Sequence, residues 1–93
     1  MATFVRIGDW VEVLVHGADT TVVATVIEVE DHEFWPLRRF VAWTNEFGGM
    51  LVSVRISGGS YCVVDRATTA AEAEERVLEA RTTLAATVRG GAR

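Results

Sequence analysis

Several residue types are missing or rare in this 93-residue chain, and each absence excludes a class of protein. Lysine and glutamine are absent, and asparagine, proline, tyrosine and cysteine occur once each. A single cysteine, Cys62, excludes an internal disulfide framework and any metal site built from several cysteines. One proline and eight glycines, in a composition that is 49% hydrophobic and 24% charged, exclude collagen-like, low-complexity and disordered chains.

No apolar run reaches the roughly 18 residues that a membrane-spanning helix needs, so we expect no membrane partner. The start of the chain also lacks a basic segment followed by an apolar run, which argues against a secretory signal. We therefore expect a cytoplasmic protein. The missing lysine and glutamine, beside abundant alanine, valine, glycine and arginine, are typical of a GC-rich genome. Our hypothesis is a high-GC bacterium or a phage that infects one, in which case the protein acts in the host cytoplasm.

The net charge of −4 arises entirely in the first two-thirds of the chain. Residues 1–66 hold nine acids and five arginines, whereas residues 67–93 hold four of each sign. Because phosphate backbones bind positively charged surfaces, this distribution argues against nucleic acid as the partner.

The first two-thirds of the sequence predict five short strands separated by turns. We place them at residues 10–15, 20–30, 39–44, 50–57 and 60–64, where β-branched and apolar residues alternate with others. The apolar side of the second strand switches after Val26, which predicts a bend or bulge near its middle. Two hairpin turns are predicted, one at residues 45–49 and a two-residue turn at Gly58–Gly59.

After residue 66 the apolar period changes from 2 to 3.6, which predicts a helix. Thr69 and Glu72 form a capping-box pattern, and Gly90–Gly91 ends the helix. One face of this helix carries the apolar residues Ala70, Ala73, Val77, Ala80, Leu84 and Val88. That face packs either on the chain's own strands or on a second copy, with Val77 and Leu84 as the self-association residues.

The segment Ile7–Val13, a Gly-Asp turn followed by alternating valines, resembles the opening of small SH3-like barrels of the KOW and Tudor-like branches. Residues 24–28 resemble their second strand. The chain lacks the glycine usual before that strand and the basic residues of nucleic-acid-binding members. The resemblance implies a mainly β (α+β) fold: a five-stranded SH3-like barrel in residues 1–66. A C-terminal helix and short tail in residues 67–93 belong to the same single domain.

Two groups of reactive side chains were candidates for chemistry. The first is the run of acids and one imidazole between Glu28 and Glu33, whose oxygens suit a hard cation and whose His32, with two acids, suits zinc. Alternate strand residues point to opposite faces, however, and no calcium-loop motif is present, which favours a solvated strand end and no metal or cofactor. Cys62 lies in an apolar strand, so we expect a buried structural thiol rather than a nucleophile activated by His16 or His32. We predict no catalytic residues and no enzymatic activity.

Aromatic side chains are numerous for so small a barrel and suggest a contact surface. SH3-like barrels often bind peptides in aromatic-lined grooves. We therefore predict a partner-binding surface of Trp10, Phe34, Trp35 and Leu37. The alternative is that these side chains cover the barrel's open end or the helix. The expected function is that of a small non-catalytic accessory protein, which binds another protein or assembles with itself as a homo-oligomer.

A nucleic-acid or nucleotide-binding module of the KOW or Sm-like kind is the alternative function. Four arginines are candidates for a local basic patch beside the aromatics, which would suit single-stranded nucleic acid. They are Arg6, Arg38, Arg39 and Arg55. The nine acids in the same segment argue against this alternative.

Overall fold

A five-stranded antiparallel sheet followed by one helix forms the chain in a computed structural model, which describes residues 5–15, 17 and 19–91. The elements are β1 (Trp10–Val15), β2 (Thr20–Glu30), β3 (Arg39–Thr44), β4 (Met50–Arg55), β5 (Tyr61–Asp65) and α1 (Ala70–Gly91). The predicted mainly β class, with five strands and a C-terminal helix, is confirmed. Each predicted strand boundary lies within two residues of the observed one.

The order of strands in the sheet is β4-β3-β2-β1-β5, so β4 and β5 lie at opposite edges. The predicted two-residue hairpin at Gly58–Gly59 is therefore wrong. Ile56–Gly58 forms a 3-10 turn instead, and Gly59 follows it with φ of 72°. This turn starts the crossing to the far edge, where β5 pairs with β1. Glycine adopts a positive φ readily in any turn of the chain, so a glycine pair does not by itself specify a hairpin.

The sheet is strongly curled. Phe40 on β3 and Tyr61 on β5 meet edge to face with ring centroids 4.9 Å apart, although β2 and β1 separate their strands. Three strand spacings would hold those backbones about 14 Å apart in a flat sheet. The hydroxyl of Tyr61 also donates a hydrogen bond to the carbonyl of Ile56 at 2.8 Å. The curl encloses the inner cluster, which consists of Val5, Val11, Val13, Ala24, Val26, Phe40 and Ala42.

The predicted irregularity in β2 is a bulge at Ile27. The pairing between β2 and β3 shifts between Val26 and Glu28, so Ile27 is an extra residue in the ladder. Val26 is fully buried in the inner cluster, whereas Ile27 is buried on the opposite side of the sheet. The bulge thus gives one strand buried side chains on both faces.

The helix α1 packs on the outer face of the sheet, against β2 and β3. Ile27, Trp43 and Ala80 are the buried residues of this outer cluster, with Val77 and Leu84 half-buried against them. Of the two arrangements considered for the helix, packing on its own sheet is therefore the one observed. Two members of the predicted apolar face, Ala70 and Val88, are exposed beyond the contact.

The start of α1 is capped almost as predicted. The Oγ1 of Thr69 accepts a hydrogen bond from the backbone N–H of Glu72 at 3.1 Å. The Glu72 carboxylate turns back to Thr68 rather than to Thr69, where it accepts from the backbone N–H at 3.1 Å and from the hydroxyl at 2.6 Å. These bonds to Thr68, together with the charge of Arg76, hold the pKa of Glu72 below its ordinary value.

The Gly-Asp turn before β1 brings the chain against the helix. Gly8 has φ of 93°, and its N–H donates to the carbonyl of Val26 at 2.8 Å. A Cβ at this position would lie 2.7 Å from the Cβ of Ala73, so only glycine fits between sheet and helix. The neighbouring Asp9 is buried and accepts from the backbone N–H of Arg6 at 2.9 Å.

Candidate functional site

Three of the predicted partner-binding residues lie together in the connection between β2 and β3. Phe34, Trp35 and Leu37 are 59%, 43% and 41% exposed, respectively. We call these three residues the aromatic tip. Large apolar side chains scattered singly over a surface are ordinary, whereas an exposed group of them is a candidate contact surface.

The backbone under the aromatic tip is held in place by hydrogen bonds. Pro36 stands at the beginning of a 3-10 turn, Trp35–Leu37. The hydroxyl of Ser57 donates to the carbonyl of Pro36 at 3.1 Å, and the N–H of Ile56 donates to the carbonyl of Arg38 at 2.9 Å. The turn after β4 thus supports the tip from below, and a partner would meet a surface whose backbone is already ordered.

The charged groups around the aromatic tip are of both signs. Arg38 forms an ion pair with Asp31 at 3.1 Å. Arg39 on β3 lies directly opposite Arg55 on β4, and Glu30 on β2 lies opposite Arg39 on its other side. Three of the four arginines considered for a basic patch therefore lie near the tip. The acids between them reduce the positive charge that a phosphate backbone would meet.

The fourth predicted partner-binding residue, Trp10, lies away from the aromatic tip. It pairs with Thr25, five residues before the end of β2 at Glu30, which is about 17 Å along an extended strand. The guanidinium of Arg76 on α1 stacks over the Trp10 ring, 3.9 Å from its centroid. Trp10 remains 39% exposed beside the helix.

Arg76 is a strongly connected polar residue that the sequence reasoning missed. Its side chain is only 10% exposed. Its guanidinium donates to the carbonyl of Gly8 at 3.2 Å and forms ion pairs with Glu72, at 2.8 Å, and with Asp65. A single side chain thus joins α1 to the start of β1 and the end of β5, which lie at the same end of this antiparallel strand pair. The signal was available, because Arg76 falls at helical spacing on the face of α1 that turns toward the sheet.

The depressions on the described surface include one beside Trp10 and Arg76 and one on the other side of the sheet. A groove of about 290 Å³ runs between α1 and the sheet, and Trp10, Trp43 and Arg76 line it. At its floor the indole N–H of Trp43 donates to the side-chain oxygen of Asn45 at 2.9 Å. The second depression, about 360 Å³, is an apolar seam between the end of β1 and β4, on the open side of the curled sheet.

The side chains considered for catalysis or metal binding do not converge. Among the residues that the structure describes, there is no group of three or more histidine, cysteine or acidic side chains placed to hold a metal ion. Cys62 is exposed, so the predicted buried thiol is wrong. It lies opposite Glu12 on the outward side of the edge strand β5, where strand alternation places a polar neighbour rather than the core. His16 lies outside the described residues.

The predicted self-association residues, Val77 and Leu84, both turn toward the chain's own sheet. Each is half-buried against the outer cluster of Ile27, Trp43 and Ala80. Their role in self-association remains a prediction. On the other side of the helix, Leu78 is 67% exposed.

No protein-family model, curated protein or solved structure matches this chain. In the described ranges, no helix combines the length and the apolar character needed to cross a membrane.

Proposed function

We propose that this chain is a small, non-catalytic accessory protein that binds another protein through the aromatic tip. The observation that carries the proposal is the adjacency of Phe34, Trp35 and Leu37, all exposed, on a backbone held by the turn after β4. A few anchor residues supply most of the binding energy at protein interfaces, and tryptophan is among the commonest of them. Because the tip is already ordered, little conformational entropy is lost when a partner binds.

An SH3-like assignment of the curled sheet is part of the same proposal. Five antiparallel strands, the bulged second strand and the contact between β3 and β5 support it. Barrels of this kind bind peptides on aromatic-lined surfaces, which agrees with the tip as the contact. The composition supports the cytoplasm of a high-GC bacterium, or of the host of a phage, as the place where the protein acts.

Trp10 does not belong to the proposed surface. Its ring is stacked against Arg76 and lies along the helix groove, so a partner on the aromatic tip would not reach it. We assign Trp10 to the docking of the helix, which is the structural alternative considered for the aromatic residues.

A nucleic-acid-binding function is the second candidate, and one observation favours it. Arg39 and Arg55 face each other on neighbouring strands, and Arg39 follows the aromatic tip by two residues. Like charges directly opposite each other destabilise a sheet, and an anionic ligand would relieve that repulsion. The interleaved acids Glu30 and Asp31 weigh against it.

Affinity capture from the source cell, with mass spectrometry, tests the proposal. We expect Trp35→Ala to reduce the amount of captured partner by about tenfold or more, because the variant removes an interface anchor. Phe47→Ala is the matched control, since Phe47 is also an exposed aromatic residue but lies in the β3–β4 hairpin. The control should capture as much partner as the original chain.

Two results would contradict the proposal. One is equal capture by the original chain and Trp35→Ala while both have the same melting temperature. The other is capture of nucleic acid that falls steeply with added salt, because phosphate binding responds to salt and apolar contact does not. That second result would establish the alternative.

A further inference from the structure

The side of α1 that faces away from the sheet carries an apolar stripe. Ala71, Leu78 and Ala85 follow one another at intervals of seven residues, so they align along one side of the helix. All three are exposed, and Leu78, at 67%, is more exposed than any other large hydrophobic side chain in the described part of the chain. We call this stripe the outer helix face.

The charges beside the outer helix face are segregated along the helix. The acids Glu72, Glu74, Glu75 and Glu79 occupy its first half, and Arg81 and Arg89 occupy its second half. The single base of the first half, Arg76, turns inward and is engaged by Glu72 and Asp65. In the second half Arg81 also turns inward, where its guanidinium donates to the carbonyl of Ile27 at 3.3 Å. The outward surface of α1 therefore carries acids in its first half and the base Arg89 in its second.

We infer that α1 pairs in antiparallel orientation with α1 of a second copy of this chain. A twofold axis between Arg81 and Thr82 places Leu78 of one copy opposite Ala85 of the other. The same axis places Glu74 opposite Arg89, twice, once on each side. A parallel pair would instead bring acid against acid and base against base, so the charges select the antiparallel arrangement.

Alanine lets two helices approach closely, but its small side chain buries little surface. We therefore expect the pairing to be weak. One helix against another falls at the small end of protein interfaces, which suits a dissociation constant on the order of 10–100 µM. The pairing goes beyond the proposed function and does not depend on it, because the outer helix face and the aromatic tip share no residue. Failure of one therefore leaves the other intact.

Sedimentation equilibrium between about 10 µM and 1 mM tests whether the dimer forms on this face. We expect the original chain to dimerise in this range and Leu78→Gln to raise the dissociation constant by about tenfold or more. Leu51→Gln is the matched control, since Leu51 is 52% exposed but lies on β4. The control should stay within about twofold of the original chain. A chain that is monomeric at 1 mM, or equal effects of the two substitutions, would overturn the inference.

Charge exchange tests the orientation. Glu74→Arg and Arg89→Glu should each weaken the dimer about threefold to tenfold, because each brings like charges together in both symmetric pairs. The double variant restores opposite charges in both pairs, and its dissociation constant should return to within about threefold of the original. Circular dichroism checks that α1 keeps its helix content in each variant. If the dissociation constant of the double variant instead rises by the product of the two single-variant factors, the antiparallel arrangement is overturned.

Discussion

The two faces of the sheet are built in different ways. The inner face is closed by the curl of the sheet and holds seven buried aliphatic or aromatic side chains without a charged group among them. The outer face buries Ile27 and Trp43 of the sheet against Ala80 of α1, and it also depends on a glycine contact and on the guanidinium of Arg76. The alternation of apolar residues along the strands is enough to form the inner face, whereas the outer face depends on a few specific contacts between individual residues.

The difference predicts where a single substitution costs most. Phe40 is fully buried and contacts Tyr61 across the curled sheet, so Phe40→Ala should lower the free energy of unfolding by about 3–5 kcal/mol. For a chain of this size that is a large share of the total, which is about 5–14 kcal/mol. Val77→Ala, at the half-buried edge of the outer cluster, should cost about 1 kcal/mol.

Urea denaturation of the two variants measures this contrast. Equal losses of free energy of unfolding would show that the outer cluster contributes as much per side chain as the inner one. The comparison between the two faces would then fail.

Gly8→Ala tests the close contact on the outer face. The substitution forces a Cβ to 2.7 Å from Ala73 and places alanine at φ of 93°, so we expect a loss of about 2–4 kcal/mol. Gly59→Ala is the matched control. Gly59 also has a positive φ, 72°, but nothing lies within 4 Å of its added Cβ, so only the backbone strain of about 1 kcal/mol remains.

The difference between the two glycine variants isolates the contact with the helix. Thermal unfolding and the intrinsic tryptophan fluorescence, to which Trp43 under α1 and Trp10 beside it contribute together with Trp35, report whether the helix has moved from the sheet. If both variants lose the same stability, Gly8 acts through its backbone conformation alone and the helix does not depend on the close approach.

The strands and the helix could be predicted because their signals are local. Alternation of apolar residues located β1 and β4, and the Thr69–Glu72 pair located the start of α1. The change of face within β2 also predicted a bend or bulge near its middle, and the structure has a bulge at Ile27. Each of these features depends on residues that are close in sequence, within one helical turn or within one strand.

The strand order and the candidate site were less predictable because they depend on distant pairing. The sequence Gly58–Gly59 suits a hairpin between β4 and β5 as well as a connection from β4 to the opposite edge of the sheet. Only the pairing of β5 with β1 decides between the two. The adjacency of Phe34, Trp35 and Leu37 was visible in the sequence. The partner of Trp10 was not, because Arg76 lies 66 positions further along the chain.

The smallest expected effect concerns Glu72, which links the helix cap to Arg76. The hydrogen bonds from Thr68 come first and the charge of Arg76 second in lowering the pKa of this carboxyl below its ordinary value of 4.5. A lowered pKa in the folded state means that folding favours the ionised form. Its contribution is therefore complete above the ordinary value and is lost as the pH falls through the lowered one. Because the carboxylate is exposed to solvent, the contribution is small.

Glu72→Gln should consequently lower the melting temperature at pH 7, by less than Gly8→Ala does, and the difference from the original chain should shrink below about pH 4.5. Glu75→Gln is the control, since it removes an exposed helical carboxylate from the same turn. A difference for Glu72→Gln that stays constant from pH 7 to pH 3 would show that the ionised carboxylate adds nothing. The outer face would then be held by the stacking of Arg76 on Trp10, by its bond to the Gly8 carbonyl and by the Asp65 ion pair, with no contribution from the charge of Glu72.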